Sequence, residues 1–182
     1  MLPIPTRVFF TKGVGKHQTR LQSFEMALRK AGIETCNLVR VSSILPPKCK
    51  IISRRKGEAQ LEPGQITFVV MAEASTNEPS RLVGAGIGLA QPAEGTQYGY
   101  ISEHHGFGMT EARLSDLVED MAATMLATTL GIPFDPETAY DDRREIYRMS
   151  GKIVRTRACV QTATGDPGGL WTTTVAAAVF LP

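Results

Sequence analysis

At 182 residues the chain fits one domain, spanning 1–182, with room for a substantial core, and 42% hydrophobic against 21% charged residues argues against disorder. A net charge of +2 is too weak to imply a nucleic-acid partner, and no apolar run approaches the ~18 residues needed to span a bilayer. Three cysteines (Cys36, Cys49 and Cys159) without CxxC spacing, behind an N-terminus with no signal architecture, predict a reduced cytoplasmic setting with buried rather than catalytic thiols.

Arg7 to Thr11 reads as a strand, and Lys12-Gly-Val-Gly-Lys16 as a turn, because paired glycines permit positive φ. The spacing then predicts a helix over Arg20 to Ala31, with Leu21, Phe24, Ala27, Leu28 and Ala31 on one face. Thr19 and Gln22 form a capping box at its start, and Gly32 suits its stop. Asn37 through Leu45 is rich in β-branched and aliphatic residues and is expected to be one strand, ended by Pro46-Pro47. The basic run Arg54-Arg55-Lys56 reads as a solvated loop.

Further strands are expected at Ile66 to Ala74, Leu82 to Ala90, Tyr98 to Ser102, Lys152 to Gln161 and Trp171 to Leu181. Gly84, Gly86 and Gly88 alternate within one of them, which puts all three on one face where another backbone can approach closely. Thr110 caps a long helix carrying Leu114, Leu117, Val118, Met121 and Met125 as its core face, ended by Gly131 and Pro133. A short surface helix is expected between Asp135 and Ser150. Two main helices among six or seven strands, without a regular βαβ rhythm, predict the α+β class.

The usual catalytic motifs are absent: there is no GxSxG, no HExxH, no dinucleotide fingerprint and no phosphate loop. His104 and His105 beside Glu103 would point apart on an extended chain, so no metal is expected. Two features remain. One is the pair Ser42-Ser43 before Ile44-Leu45-Pro46-Pro47, and the other is Glu103, just past the strand Tyr98-Gly-Tyr-Ile-Ser102. Alone, a serine pair at a strand end more often satisfies backbone groups than performs chemistry.

The run from Ala31 to Pro47, with Asn-Leu-Val-Arg-Val-Ser-Ser at its centre, resembles the self-cleavage region of the pyruvoyl-dependent arginine decarboxylases. The resemblance extends through Tyr98-Gly-Tyr-Ile-Ser-Glu103 to Trp171-Thr-Thr-Thr-Val-Ala-Ala-Ala-Val-Phe180 and covers nearly the whole chain. It implies a four-layer αββα sandwich, a homotrimer or dimer of trimers with active sites between subunits, and a proenzyme that cuts itself into a 1–42 β chain and a 43–182 α chain. The implied activity is conversion of L-arginine to agmatine and carbon dioxide through a Schiff base to a pyruvoyl cofactor made from Ser43. By the same resemblance, Ser42 and Ser43 form the cleavage site, Asn37 is linked to processing, Glu103 is the catalytic carboxyl, and Glu25 meets the substrate guanidinium where the family pattern has aspartate.

The residue types permit this chemistry. Attack of Ser43 Oγ on the Ser42 carbonyl gives an ester with effective concentration supplied by the chain, provided a constrained backbone and an oxyanion donor assist. Glu103, following Tyr98 and Tyr100, is expected against aromatic and glycine-rich surroundings that favour its neutral form. Asn37 stands six residues from Ser43, roughly 20 Å along a straight strand at ~3.3 Å per residue, so it requires a bend or a neighbouring subunit to reach a cleavage site. Glu25 can take a guanidinium, but Arg29 one turn later can equally occupy it. A decarboxylase of another basic amino acid such as histidine, and a structural paralogue that never cleaves, stand as alternatives.

Overall fold

The computed structural model describes residues 4–182, the side chain of Val154 excepted. In chain order the elements are β1 (Arg7–His17), α1 (Arg20–Ala31), β2 (Asn37–Arg40), β3 (Ile44–Leu45), β4 (Lys50–Ile51), α2 (Arg54–Glu58), β5 (Ile66–Thr76), β6 (Leu82–Pro92), β7 (Gly99–Phe107), α3 (Glu111–Thr129), α4 (Tyr140–Met149), β8 (Ile153–Thr164) and β9 (Trp171–Leu181). The α+β expectation agrees with this mixture of two sheets and four helices.

One sheet has the order β2-β5-β9-β1-β4 and the other β3-β7-β6-β8. Alternation along each strand sends one set of side chains between the sheets and the other outward. Val8, Phe10, Val70, Ala176 and Ala178 of the first sheet thus pack against Ala85, Ile87, Leu89 and Ile101 of the second. The intervening residues Phe9, Val69, Met71, Val175 and Ala177 pack with Ala27 and Ala31 of α1. On the second sheet, Val160 meets Leu114 and Val118 of α3, while Ala90 lies with Ala122, Ala123 and Leu126.

Helix α1 begins and ends where its local signals dictate. Thr19 accepts from the Gln22 amide, and Gly32 adopts φ 71° at the C-terminal stop. Its face is narrower than the periodicity suggests, because Leu21 is 75% exposed. The predicted turn at Lys12–Lys16 is instead a continuation of β1 to His17, paired throughout with β9. Gly13 and Gly15 serve close packing: a Cβ on either would stand 2.1 Å from a backbone oxygen of α1, Ala27 O or Ser23 O.

The glycines of β6 play the same part for α3, as expected. A Cβ on Gly88 would meet Val118 O at 1.9 Å. Helix α3 turns Ala122, Ala123, Leu126 and Ala127 inward beside Leu114 and Val118, leaving Leu117, Met121 and Met125 half-buried. Small side chains win this face because the glycine strand lets the helix sit too close for methionine. The run Arg54–Lys56 is solvated, but it forms the short helix α2, capped by Ser53, rather than a loop. Helix α4 is anchored by Tyr147 and by Arg143, whose guanidinium meets Asp120 of α3 at 2.6 Å.

Candidate active site at the crossing between the sheets

The segment expected as one strand from Asn37 to Leu45 is two. Residues Asn37–Arg40 pair in parallel with Ile66–Val69 of β5, and Ile44–Leu45 pair antiparallel with Tyr100–Gly99 of β7. These partners belong to different sheets. A straight strand cannot satisfy both, since its edge would extend the ladder of one sheet only. The last bond to the first sheet is Val41 N–H to Val69 O at 2.9 Å, and the first to the second sheet is Ile101 N–H to Ser43 O at 2.8 Å. The chain therefore crosses within Val41–Ser43, the stretch that contains the Ser42-Ser43 peptide bond.

The crossing is tight. Ile44 N–H donates to Ser42 O at 2.9 Å, closing a three-residue γ-turn centred on Ser43. Ser42 is exposed and Ser43 partly buried. Beside them lies an apolar hollow of about 280 Å³ lined by Pro5, Val41, Ser42, Ile44, Pro46, Phe68 and Phe180.

Glu103 does not follow a strand end as expected, because β7 continues to Phe107. It stands opposite Ile87 and two residues beyond Ile101, the residue that binds the Ser43 carbonyl. Strand alternation gives Ile101 and Glu103 the same face, about 7 Å apart along β7. Ile101 is buried between the sheets and Glu103 is exposed, so within one chain the carboxyl is not enclosed by the aromatic and glycine residues expected around it. Tyr100 and Ser102 face the other way, toward α3, where Ser102 Oγ donates to Val118 O.

Asn37 is at the far end of β2. Its Nδ2 donates to Gly64 O at 2.8 Å and its own amide to Gln65 O at 2.8 Å, tying β2 to the approach of β5. Glu25 lies on α1, over the face of the first sheet turned away from Ser43, and pairs with Arg29. Among the described residues no hydrogen bond or ion pair joins Glu25 or Asn37 to Ser42, Ser43 or Glu103. One chain thus brings Ser43 and Glu103 to neighbouring strands and leaves Asn37 and Glu25 apart from them.

The groups that the sequence reading missed are the amides of Ile44 and Ile101. Backbone donors have no side-chain signature; only the fold aims them. Among the described residues no group of three or more His, Cys, Asp or Glu side chains is placed to hold a metal, and no helix is long and apolar enough to cross a membrane.

Comparison with known proteins agrees in extent with the resemblance carried by the Ser-Ser region. A family profile described as "Pyruvoyl-dependent arginine decarboxylase (PvlArgDC)" matches residues 7–182. The chain is 59% identical over 179 residues to a probable pyruvoyl-dependent arginine decarboxylase of Chloroherpeton thalassium, covering 98% of each chain. It is 60% identical over 179 residues to the protein so described in Chlorobium phaeovibrioides, again over 98% of each. Pyruvoyl-dependent arginine decarboxylase 2 of Methanosarcina mazei is 56% identical over 178 residues, covering 98% of this chain and 97% of that one. With matches of this length and identity, the chain belongs to the pyruvoyl-dependent arginine decarboxylase family.

Proposed function

We propose that this chain is a proenzyme that cuts itself between Ser42 and Ser43 and then decarboxylates L-arginine to agmatine at a pyruvoyl group derived from Ser43. The observation that carries the reading is the position of the Ser42-Ser43 bond at the crossing between sheets, with a backbone hydrogen bond fixing the chain on either side. Ser43 Oγ is first nucleophile, attacking the Ser42 carbonyl to give an ester, and then leaving group as Ser42 carboxylate departs. The dehydroalanine left at position 43 takes up water and loses ammonia.

The residues around Ser43 fit the group that would result. The carbonyl of residue 43 is already held by Ile101, and the hollow beside it is apolar. When formed, the pyruvoyl ketone supplies an electrophile for the substrate amine and a sink for the electrons released as carbon dioxide leaves. Glu103, on the strand that holds residue 43, serves as the acid that returns a proton to the substrate carbon. Glu25 takes the far guanidinium in a charge-assisted pair. Asn37 acts by positioning: its bond to Gly64 fixes the register of β2 on β5, and that register sets where the chain must leave the first sheet.

The finer architecture follows the same reading: a four-layer αββα sandwich, homotrimeric or a dimer of trimers, working in the cytoplasm. Its support is the helix packing on the outer face of each sheet and the apolar rim near the crossing, where Val41 and Ile44 are substantially exposed. A second copy seated there would cover that rim, enclose Glu103 and bring a Glu25 from another chain toward Ser43.

The mass of the denatured protein tests the central claim. Two fragments joining at residues 42 and 43, the larger one lacking a free N-terminal amine, are expected; Ser43→Ala leaves one chain and no activity, whereas Ser42→Ala keeps the nucleophile and cleaves. A wild-type chain that stays intact while decarboxylating arginine overturns the reading.

A further inference from the structure

We infer that the backbone amide of Ile44 is the oxyanion donor for the self-cleavage proposed above, an assignment that rests on that reading. The acceptor of the Ile44 N–H is the Ser42 carbonyl oxygen, at 2.9 Å. That carbonyl is the one Ser43 Oγ must attack. The only non-glycine residues with positive φ among those described are Lys48 and Ser80, so the γ-turn centred on Ser43 is of the inverse type, which strand ends readily adopt.

The donor is fixed before any reaction occurs. Ile44 sits opposite Tyr100 and Leu45 opposite Gly99, and the carbonyl of Ser43, in the same peptide unit as the Ile44 amide, is bound by Ile101 N–H at 2.8 Å. The peptide plane that carries the donor is thereby clamped on β7, while Val41 N–H to Val69 O holds the chain before the carbonyl on β5. The two sheets hold donor and acceptor independently, and the packed core between them keeps that geometry.

Within the hollow beside Ser42, no other residue offers a side-chain donor for the role. Apart from Ser42 itself, the hollow is lined by Pro5, Val41, Ile44, Pro46, Phe68 and Phe180, none of which carries a side-chain donor. In such surroundings a hydrogen bond to developing charge is worth more than in water. The γ-turn bond is bent and weak to a neutral amide oxygen, and it strengthens once the carbon becomes tetrahedral and the oxygen takes up negative charge. The step balances: the Oγ–C bond forms, the C–N bond breaks, and the hydroxyl proton passes to the Ser43 nitrogen, leaving an ester and an amine.

The test replaces Ile44 in the full chain by its α-hydroxy acid, which turns the amide into an ester, removing the N–H and making the Ser43 carbonyl a weaker acceptor for Ile101 N–H. Cleavage is followed by mass of the denatured protein, with the same exchange at the exposed Lys48 as control. Removing the donor should slow cleavage about 100-fold or more, the scale of a lost oxyanion contact, while the Lys48 ester cleaves at the wild-type rate. Cleavage of the Ile44 ester within about threefold of wild type overturns the assignment and leaves the parent reading standing; a wild-type chain that never cleaves sinks the parent reading instead. Amide hydrogen exchange in the uncut Ser43→Ala precursor gives a second check that does not depend on the ester variant folding: Ile44 N–H should be protected alongside Ile101 N–H, and exchange at the open-chain rate overturns the assignment.

Discussion

The backbone amide of Ile101 donates to the carbonyl of Ser43 at 2.8 Å, and the next side chain on the same face of β7 is that of Glu103. This bond ties the residue proposed to become the cofactor to the strand that carries the proposed acid. It also survives the cut, since it involves the carbonyl on the far side of Ser43 from the scissile bond.

Glu103→Gln should therefore separate the two reactions. The amide cannot deliver a proton, so decarboxylation of arginine should fall about 100-fold or more, the range for a lost general acid. The crossing keeps its backbone bonds, so the denatured variant should still give two fragments. Full activity in a cleaved Glu103→Gln protein would remove Glu103 from the reaction.

Glu25 poses a competition. Its ion pair with Arg29 is an exposed i,i+4 contact, worth about 0.3–0.5 kcal/mol, which a bound substrate guanidinium in a desolvated site can displace. Glu25→Gln should raise KM for arginine about tenfold or more without altering cleavage. Arg29→Ala should lower KM about twofold, the factor corresponding to release of that weak pair. Equal KM values in all three proteins would leave Glu25 a purely structural partner of Arg29.

Gly88 is a packing residue, and the cost of filling it can be measured. An added methyl would sit 1.9 Å from Val118 O and 2.5 Å from Ser102 Oγ, so α3 would have to move off the sheet. Gly88→Ala should destabilise by about 3 kcal/mol in urea unfolding, at the upper end of the range for overpacking. Gly95, with nothing within 4 Å of the added atom, should tolerate alanine within about 0.5 kcal/mol.

Stability should fall at high pH. Burial pushes the Cys49 thiol up to about 11 and, with the nearby Glu119 carboxylate, the Tyr140 hydroxyl up to about 12. Both groups are neutral in the fold while the unfolded chain ionises first, near 9.0 and 10.0, so the unfolded state binds fewer protons and stability declines as pH rises through that window. The thermal midpoint should change little between about pH 7 and 9 and drop above it, with Tyr140→Phe flattening the upper part of the decline. At pH 8, Cys36 should alkylate in the native protein and the buried Cys49 only after denaturation.

Much of the architecture was legible because it is local. Thr19, Gln22 and Gly32 bound α1 at the residues their side chains and φ preferences dictate, and the apolar run Trp171–Leu181 is β9 from end to end. The Ser42-Ser43 pair gained its meaning from the residues around it, and the family match over 7–182 agrees with that resemblance. Gly13 and Gly15 misled because a glycine permits a turn and equally permits a helix to press on a strand. Only the presence of α1 against β1 decides between them.

The sequence by itself determined the limits of α1 and the extent of β9, both of which depend on residues within one or two turns of each other. Tertiary structure decided that Asn37–Leu45 is divided between two sheets, that the division falls within Val41–Ser43, and that the amides of Ile44 and Ile101 face the carbonyls of Ser42 and Ser43 respectively. The physical reason is that strand pairing is made by backbone groups common to every residue. Which sheet accepts a strand depends on partners such as Val69 and Tyr100, which lie 28 and 56 residues beyond the segments they receive at Val41 and Ile44.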